Sequence, residues 1–163
     1  NTPLNEFVKG KKTLDNEQIK GGILFYGKGN CSSCHNGPLF SDLKFYTIPF
    51  PQLGFGKNGF GIDYGRYNTT FNPSDLYKFR TPILYNNGKT SPYGHSGSVS
   101  SLEEAIKAHS DPLAITNIQQ YSSLQRHEYY KYIVKSDAID RVNYLTDDEI
   151  KQIVKFLESL NFN

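Results

Sequence analysis

A mostly helical fold with long irregular loops is what this sequence predicts, from three observations. Asp15 can cap a helix whose apolar pattern runs to about Tyr26. Thr146 and Glu149 form a capping box at the head of an amphipathic segment near the C-terminus. Between these, from Gly37 to about Ser100, Gly, Pro, Asn and aromatic residues are dense and no helical period is sustained.

The elements follow in order. Residues 1–12 are polar, with Lys9, Lys11 and Lys12, and read as a lead-in segment. The first helix carries Ile19, Ile23, Leu24 and Phe25 among its apolar positions. Gly21 and Gly22 inside it each cost about 1 kcal/mol relative to Ala, so room for a large body against the backbone is expected there. The helix breaks at Gly27–Gly29. Short extended pieces are expected at Lys44–Ile48. Ser101 and Glu104 form another capping box and open a helix to about His109. Leu102, Ala105, Ile106 and His109 then share one face. Leu124–Lys135 is ambiguous but readable as helix, with Tyr129, Tyr130, Tyr132, Ile133 and Val134. In the last helix Ile150, Ile153, Val154, Leu157 and Leu160 make an apolar stripe. With no internal repeat, low-complexity run or convincing boundary, residues 1–163 read as one domain.

The chemistry concentrates at Cys31-Ser32-Ser33-Cys34-His35, the pattern C-x-x-C-H. Two thiols at this spacing can each add across one vinyl group of a haem, and the next residue reaches the iron from the same side. Zinc would want about four ligands, and these are the only two cysteines in the chain. A thioredoxin-like dithiol would want a βαβ pattern, which is not visible. Cys31 and Cys34 are therefore read as thioether anchors of one covalent haem c, which is then the obvious candidate for the large body expected against Gly21 and Gly22. His35 is read as the proximal iron ligand, its other N–H bonding a backbone carbonyl. A helix followed by C-x-x-C-H is the usual entry to a cytochrome c fold, so the full expectation is all-α and cytochrome c-like, with irregular loops wrapped around haem.

Bulk properties narrow the partners. Net charge is +2, too small to argue for nucleic acid or a membrane surface. No apolar run approaches a transmembrane length. The chain starts at Asn1 without a signal peptide and reads as a mature or trimmed product. Covalent haem is normally attached outside the cytoplasm, so a periplasmic or otherwise exported bacterial setting is expected. The 12 Tyr and 11 Phe suit packing against a macrocycle.

Several further motifs line up in order. They are Gly37-Pro38-Leu39-Phe40-Ser41-Asp42, Asp63-Tyr64-Gly65-Arg66, Phe79-Arg80-Thr81-Pro82-Ile83-Leu84, Thr90-Ser91-Pro92-Tyr93-Gly94-His95-Ser96-Gly97, and Ser101-Leu102-Glu103-Glu104. Together with C-x-x-C-H they resemble the C-terminal haem domain of bacterial di-haem cytochrome c peroxidases, the family that includes MauG. The resemblance covers about residues 13–109 and the final helix.

That resemblance implies an electron-transfer haem domain, with the peroxidatic partner domain on another polypeptide, lost by proteolysis or never present. It also implies a second axial ligand from the helix after the P-Y-x-H-x-G motif, usually Met, and Tyr in MauG. This chain has no Met, and the matching position is His109. His109 also lies on the apolar face of its helix, so a His35/His109 haem is expected. His95 and then Tyr93 are the next candidates, and His127 reads as surface. Backbone carbonyls of Thr90 and Pro92 match positions that help hold calcium between the two domains of the family. Arg66 and Arg80 are candidate propionate partners, with solvated surface charge as the competing reading. Tyr85 stands where the family commonly has Arg.

An iron with two protein ligands has no open position for peroxide. Two imidazoles favour the ferric state relative to a His/Met pair. The chain is thus expected to carry electrons to or from a partner redox centre and not to be catalytic alone. The alternative is the electron-input half of a peroxidase whose second haem sits on another domain or chain. Phe45, Tyr46, Phe50, Phe55, Phe60, Tyr64 and Tyr67 are candidates for a docking surface or for packing on haem.

Overall fold

The computed structural model describes residues 1–52 and 62–163. Phe55 and Phe60 of the aromatic set lie outside the described residues. The chain forms two compact units, one of residues 1–44, 81–91 and 142–163, the other of residues 45–80 and 92–141.

The first unit holds three helices. The lead-in segment contains a helix: α1 spans Pro3–Val8, capped by Thr2, whose hydroxyl accepts from the Asn5 N–H at 3.2 Å. Pro3 at the first helical position is preset for the helix and forfeits only a donor that has no intrahelical partner. The backbone N–H of Leu4 donates to the Ser159 carbonyl at 3.0 Å, which ties this short helix down. The sequence pattern missed it because six residues give too little period to read.

α2 (Asn16–Tyr26) opens on Asp15, which accepts from Gln18 N–H at 2.8 Å while Gln18 accepts from Asp15 N–H at 3.1 Å. α6 (Asp147–Glu158) opens on the Thr146/Glu149 box and buries Ile150, Ile153, Val154, Phe156 and Leu157. These two helices cross. A Cβ at Gly21 would overlap the Gln152 carbonyl oxygen and lie 2.9 Å from the Phe156 Cβ. The large body that approaches this backbone is therefore helix α6, not haem as the sequence suggested. Phe25, 1% exposed, packs on Phe156 at 5.1 Å between ring centroids. Around the crossing Lys28 Nζ pairs with Glu149 at 2.7 Å, and Gln152 Nε2 donates to Glu17 Oε2 at 2.9 Å.

The second unit joins two short strands, β1 (Phe45–Tyr46) and β2 (Phe79–Arg80), antiparallel with Phe45 opposite Arg80. Among its described residues, the region expected to lack sustained helix has as helix only the four-residue α3 (Tyr67–Thr70) and single 3₁₀ turns. α4 (Leu102–Ser110) starts on the Ser101/Glu104 box as read from the sequence. The ambiguous segment is helical: α5 spans Ser123–Val134, and Ser122 with Gln125 supplies a further capping box. Its weak amphipathic signal has a physical cause. The residues it buries are Tyr129 and Tyr132, which hydropathy counts as nearly neutral. With Tyr77 they form the core of this unit, flanked by Ile62, Tyr64, Leu76, Phe79, Ile118, Tyr121 and Ile133. Their hydroxyls are satisfied. Tyr129 donates to the Pro49 carbonyl at 2.9 Å, Tyr132 to the Ile48 carbonyl, and Tyr77 to Glu128 at 2.8 Å.

Candidate functional site

In the first unit the end of α2 delivers the chain to a single 3₁₀ turn over Cys31–Ser33. Gly29 precedes it, where a Cβ would meet the Leu24 carbonyl oxygen at 2.9 Å and the Cys31 Sγ at 3.2 Å. The turn is entered through Asn30 in the left-handed region (φ 50°), a conformation that Asn tolerates better than most residues. His35 follows, its N–H bonded to the Cys31 carbonyl at 2.9 Å.

The segment after the motif orients this imidazole. Phe40, itself left-handed at φ 50°, turns its carbonyl to His35 Nδ1 at 3.1 Å. A bulky residue with positive φ is strained by about 1–3 kcal/mol and persists only where its surroundings hold it. Here they do. Phe40 is buried and packs edge-on against Phe25 at 6.1 Å and Tyr85 at 5.7 Å. Asp42 N–H donates to the Cys34 carbonyl at 2.9 Å, and Ser41 Oγ to the Thr81 carbonyl at 2.8 Å. A carbonyl only accepts, so Nδ1 carries a proton, which in the neutral ring leaves the lone pair on Nε2. That is the tautomer a metal-bound histidine uses.

The two thiols are not joined in a disulfide. Burial pushes the Cys31 thiol up to about 11, with the neighbouring Cys34 adding to it. A redox dithiol needs the opposite, a thiolate near neutral pH. The set is a protonated Cys31 thiol, a second thiol three positions on at Cys34 and an imidazole held through Nδ1 on a braced loop, and it fits covalent haem c.

In the second unit, His109 lies at the end of α4 and donates from Nδ1 to the Ala105 carbonyl at 2.7 Å. Its ring stands edge-on to Phe50 at 5.9 Å between centroids. Burial lowers its pKa and keeps the ring neutral, against the pull of the Ala105 carbonyl. A histidine kept at a helix end for its interaction with the dipole would be charged instead. Here too the lone pair lies on Nε2. His95 stacks face to face on Phe79 at 3.8 Å. Its Nε2 is buried without a hydrogen-bond partner among the described residues, and burial lowers its pKa to about 4. Tyr93 is fixed by its backbone, which exchanges hydrogen bonds with Val99, and burial raises its phenol pKa, away from phenolate.

The remaining sequence candidates are placed as follows. Arg66 pairs through Nε with Asp75 at 3.2 Å and lies 4.4 Å over the Phe45 ring. Arg80 is exposed on β2, and Thr90 and Pro92 are exposed. Tyr85 is built into the first unit's packing, stacked on Phe162 at 5.9 Å with its hydroxyl 3.5 Å from Asn5 Oδ1. His127 is exposed on α5. Phe45, Tyr46, Phe50, Tyr64 and Tyr67 are all partly buried, so each has packing partners.

No protein-family model matches this chain. Among curated proteins it is 34% identical over 183 residues to cytochrome-c peroxidase IdrP1 of Denitromonas iodatirespirans, covering 98% of this chain and 44% of that protein. The protein of the same name from Pseudomonas sp. (strain SCT) is 37% identical over 128 residues, covering 64% of this chain and 34% of the other. The chain is a relative of the bacterial di-haem cytochrome c peroxidases and MauG. It spans less than half the length of these curated peroxidases. The fold agrees: a MauG-like protein associated with microbial copper homeostasis superposes with a TM-score of 0.75 at 23% identity, over 100% of this chain and 52% of that structure. The helical class read from the sequence agrees with this likeness, the short β1–β2 pair being the departure from an all-α fold.

Sequence reasoning missed the pairing of Tyr77 with Glu128 and the tyrosine core around it. The available signal was the i, i+3 spacing of Tyr129 and Tyr132, which a search for aliphatic residues passes over.

Proposed function

We propose that residues 1–163 form one cytochrome c domain, the C-terminal, electron-transfer half of a di-haem peroxidase-type protein. It carries one covalent haem c, anchored by Cys31 and Cys34, with His35 as proximal and His109 as distal iron ligand. The observation that carries this reading is the bond from His35 Nδ1 to the Phe40 carbonyl inside a C-x-x-C-H segment. The matching bond from His109 Nδ1 to the Ala105 carbonyl supports the second ligand.

When bound, the haem supplies a one-electron couple. The chain's own residues hold and tune it. Cys31 and Cys34 fix the macrocycle to the loop, and each carbonyl that accepts from a ligand's Nδ1–H raises the basicity of that imidazole. Basic imidazoles on both sides stabilise ferric iron, which makes the domain a comparatively low-potential carrier. Arg80, and Arg66 through the amino groups beyond its bond to Asp75, are the proposed propionate partners. Thr90 and Pro92 carbonyls are the proposed contribution to a calcium site. The expected partner is a second haem domain or redox subunit, in a periplasmic or otherwise exported setting. No helix among the described residues is long and apolar enough to cross a membrane.

The test is the electron paramagnetic resonance spectrum of the ferric holoprotein beside that of His109→Ala. A low-spin bis-histidine signal that becomes high-spin in the variant is expected. A high-spin wild type, or a low-spin signal indifferent to the substitution, would refute the ligation and direct attention to His95 and Tyr93.

A further inference from the structure

The core of the second unit is built from tyrosines, and their rings form an unbroken series. Centroid separations are 6.2 Å from Tyr67 to Tyr64, 5.7 Å on to Tyr77, 4.9 Å to Tyr132, 6.4 Å to Tyr129 and 5.8 Å to Tyr121. Packing alone does not ask for phenols, since every buried hydroxyl is a polar group that must be satisfied.

Of the three buried members, one differs from the other two. Tyr129 and Tyr132 donate to backbone carbonyls, whereas Tyr77 donates to the carboxylate Oε2 of Glu128 at 2.8 Å. A carbonyl shares a proton but does not accept it outright, and a carboxylate can. Lys131 pairs with the other oxygen, Glu128 Oε1, at 2.8 Å, leaving Oε2 directed at the phenol. Tyr77 is 1% exposed and holds a left-handed backbone at φ 64°, a genuine outlier for a bulky side chain. Backbone strain of this kind concentrates where a side chain must be held in place for function.

We propose that Tyr77 and Glu128 form a proton-coupled redox pair that holds an oxidising equivalent within the tyrosine core of this unit. A high-potential one-electron oxidant removes one electron from the Tyr77 ring. The phenolic proton moves along the existing hydrogen bond to Glu128 Oε2. The products are a neutral tyrosyl radical, a neutral carboxylic acid and the oxidant reduced by one electron. One electron from a one-electron reductant, with return of the proton from Glu128 Oε2, restores the phenol and closes the cycle. For its physiological oxidant the pair rests on the proposed function, which supplies a peroxide-oxidised haem on a partner domain.

The test does not depend on haem turnover, so its failure is separable from failure of the haem assignment. Exposed Tyr26, Tyr130 and Tyr144 are replaced by Phe in the holoprotein to remove direct surface oxidation. Photogenerated ruthenium(III) tris-bipyridine is the oxidant, and the sample is frozen for electron paramagnetic resonance. A neutral tyrosyl signal is expected. Tyr77→Phe should abolish it or replace its β-methylene hyperfine pattern with that of another tyrosine. Glu128→Gln keeps an acceptor oxygen and nearly the same shape but no base. It should lower the radical yield and remove the solvent deuterium isotope effect on radical formation. If Tyr77→Phe does not fold, Glu128→Gln carries the test alone. No tyrosyl radical in the parent protein, or a signal and isotope effect unchanged by Glu128→Gln, would overturn the proposal.

Discussion

Replacing Gly21 by Ala sets a local rule against a tertiary one, and the structure says which wins. Within an isolated helix the change should stabilise α2 by about 1 kcal/mol. In the folded chain the new Cβ would overlap the Gln152 carbonyl oxygen and come within 2.6 Å of the carbonyl carbon. Those atoms are backbone, so no rotamer change relieves the clash and α6 must move away. Overpacking of this kind costs about 1–3 kcal/mol. The move also loosens Phe25 against Phe156, whose complete loss would be worth a further few kcal/mol, roughly 3–5. Partial loss on top of overpacking, less the propensity gain, gives a net destabilisation of about 2–4 kcal/mol. Gly22 is the internal control. Its Cβ would meet the Phe156 ring at 3.2 and 3.3 Å, a side chain that can yield by tenths of an ångström. Gly22→Ala should stay within about 1 kcal/mol of the parent, because propensity and crowding nearly cancel. Urea unfolding of the holoproteins, followed by far-ultraviolet circular dichroism, reads both. The midpoint for Gly21→Ala should fall while the slope stays constant, which marks a change in stability rather than in the denatured ensemble. Gly21→Ala as stable as the parent would refute the close crossing of α2 and α6.

Other outcomes follow from the same geometry. Phe40→Ala removes a buried ring and the packing that holds a left-handed carbonyl against His35. It should cost about 3–5 kcal/mol and broaden the ferric low-spin signal, whereas a sharp unchanged signal would separate Phe40 from the ligand. Burial lowers the pKa of His95 to about 4, below the 6.5 of an ordinary histidine. The unfolded chain therefore binds the extra proton first, and stability falls as pH drops from about 6.5 to 4, by up to ~3 kcal/mol. His95→Gln should flatten that limb of a stability–pH curve, and an unaltered limb would place its origin elsewhere. The Glu149 carboxyl is lowered chiefly by its bond to Lys28. That contribution is present above the unfolded carboxylate pKa and lost as pH falls through the folded one. Parent and Glu149→Gln curves should accordingly converge in acid and separate toward neutrality. Ser101→Ala removes the cap of α4 and should cost about 1 kcal/mol by thermal or urea unfolding.

What the sequence determined by itself was local. The Asp15, Ser101 and Thr146 caps, the apolar stripe of α6 and the C-x-x-C-H spacing are each written in contiguous residues, and short-range hydrogen bonding decides them. The ordered motifs also disclosed the peroxidase kinship, because they carry chemistry at short fixed spacings. The tertiary structure alone decided what meets what. Gly21 and Gly22 announce that something approaches, yet only the crossing shows that it is Gln152 and Phe156 of α6. Spacing required a carbonyl for His35 Nδ1 without saying whose. A strained Phe40, held by rings distant in sequence, supplies it. α5 was faint for a related reason. Its buried face is tyrosine, and a phenol becomes core material only once partners such as Pro49 and Ile48, about 80 residues away in the chain, receive its hydroxyl. Contacts between distant segments depend on how the loops close, and no local period records that.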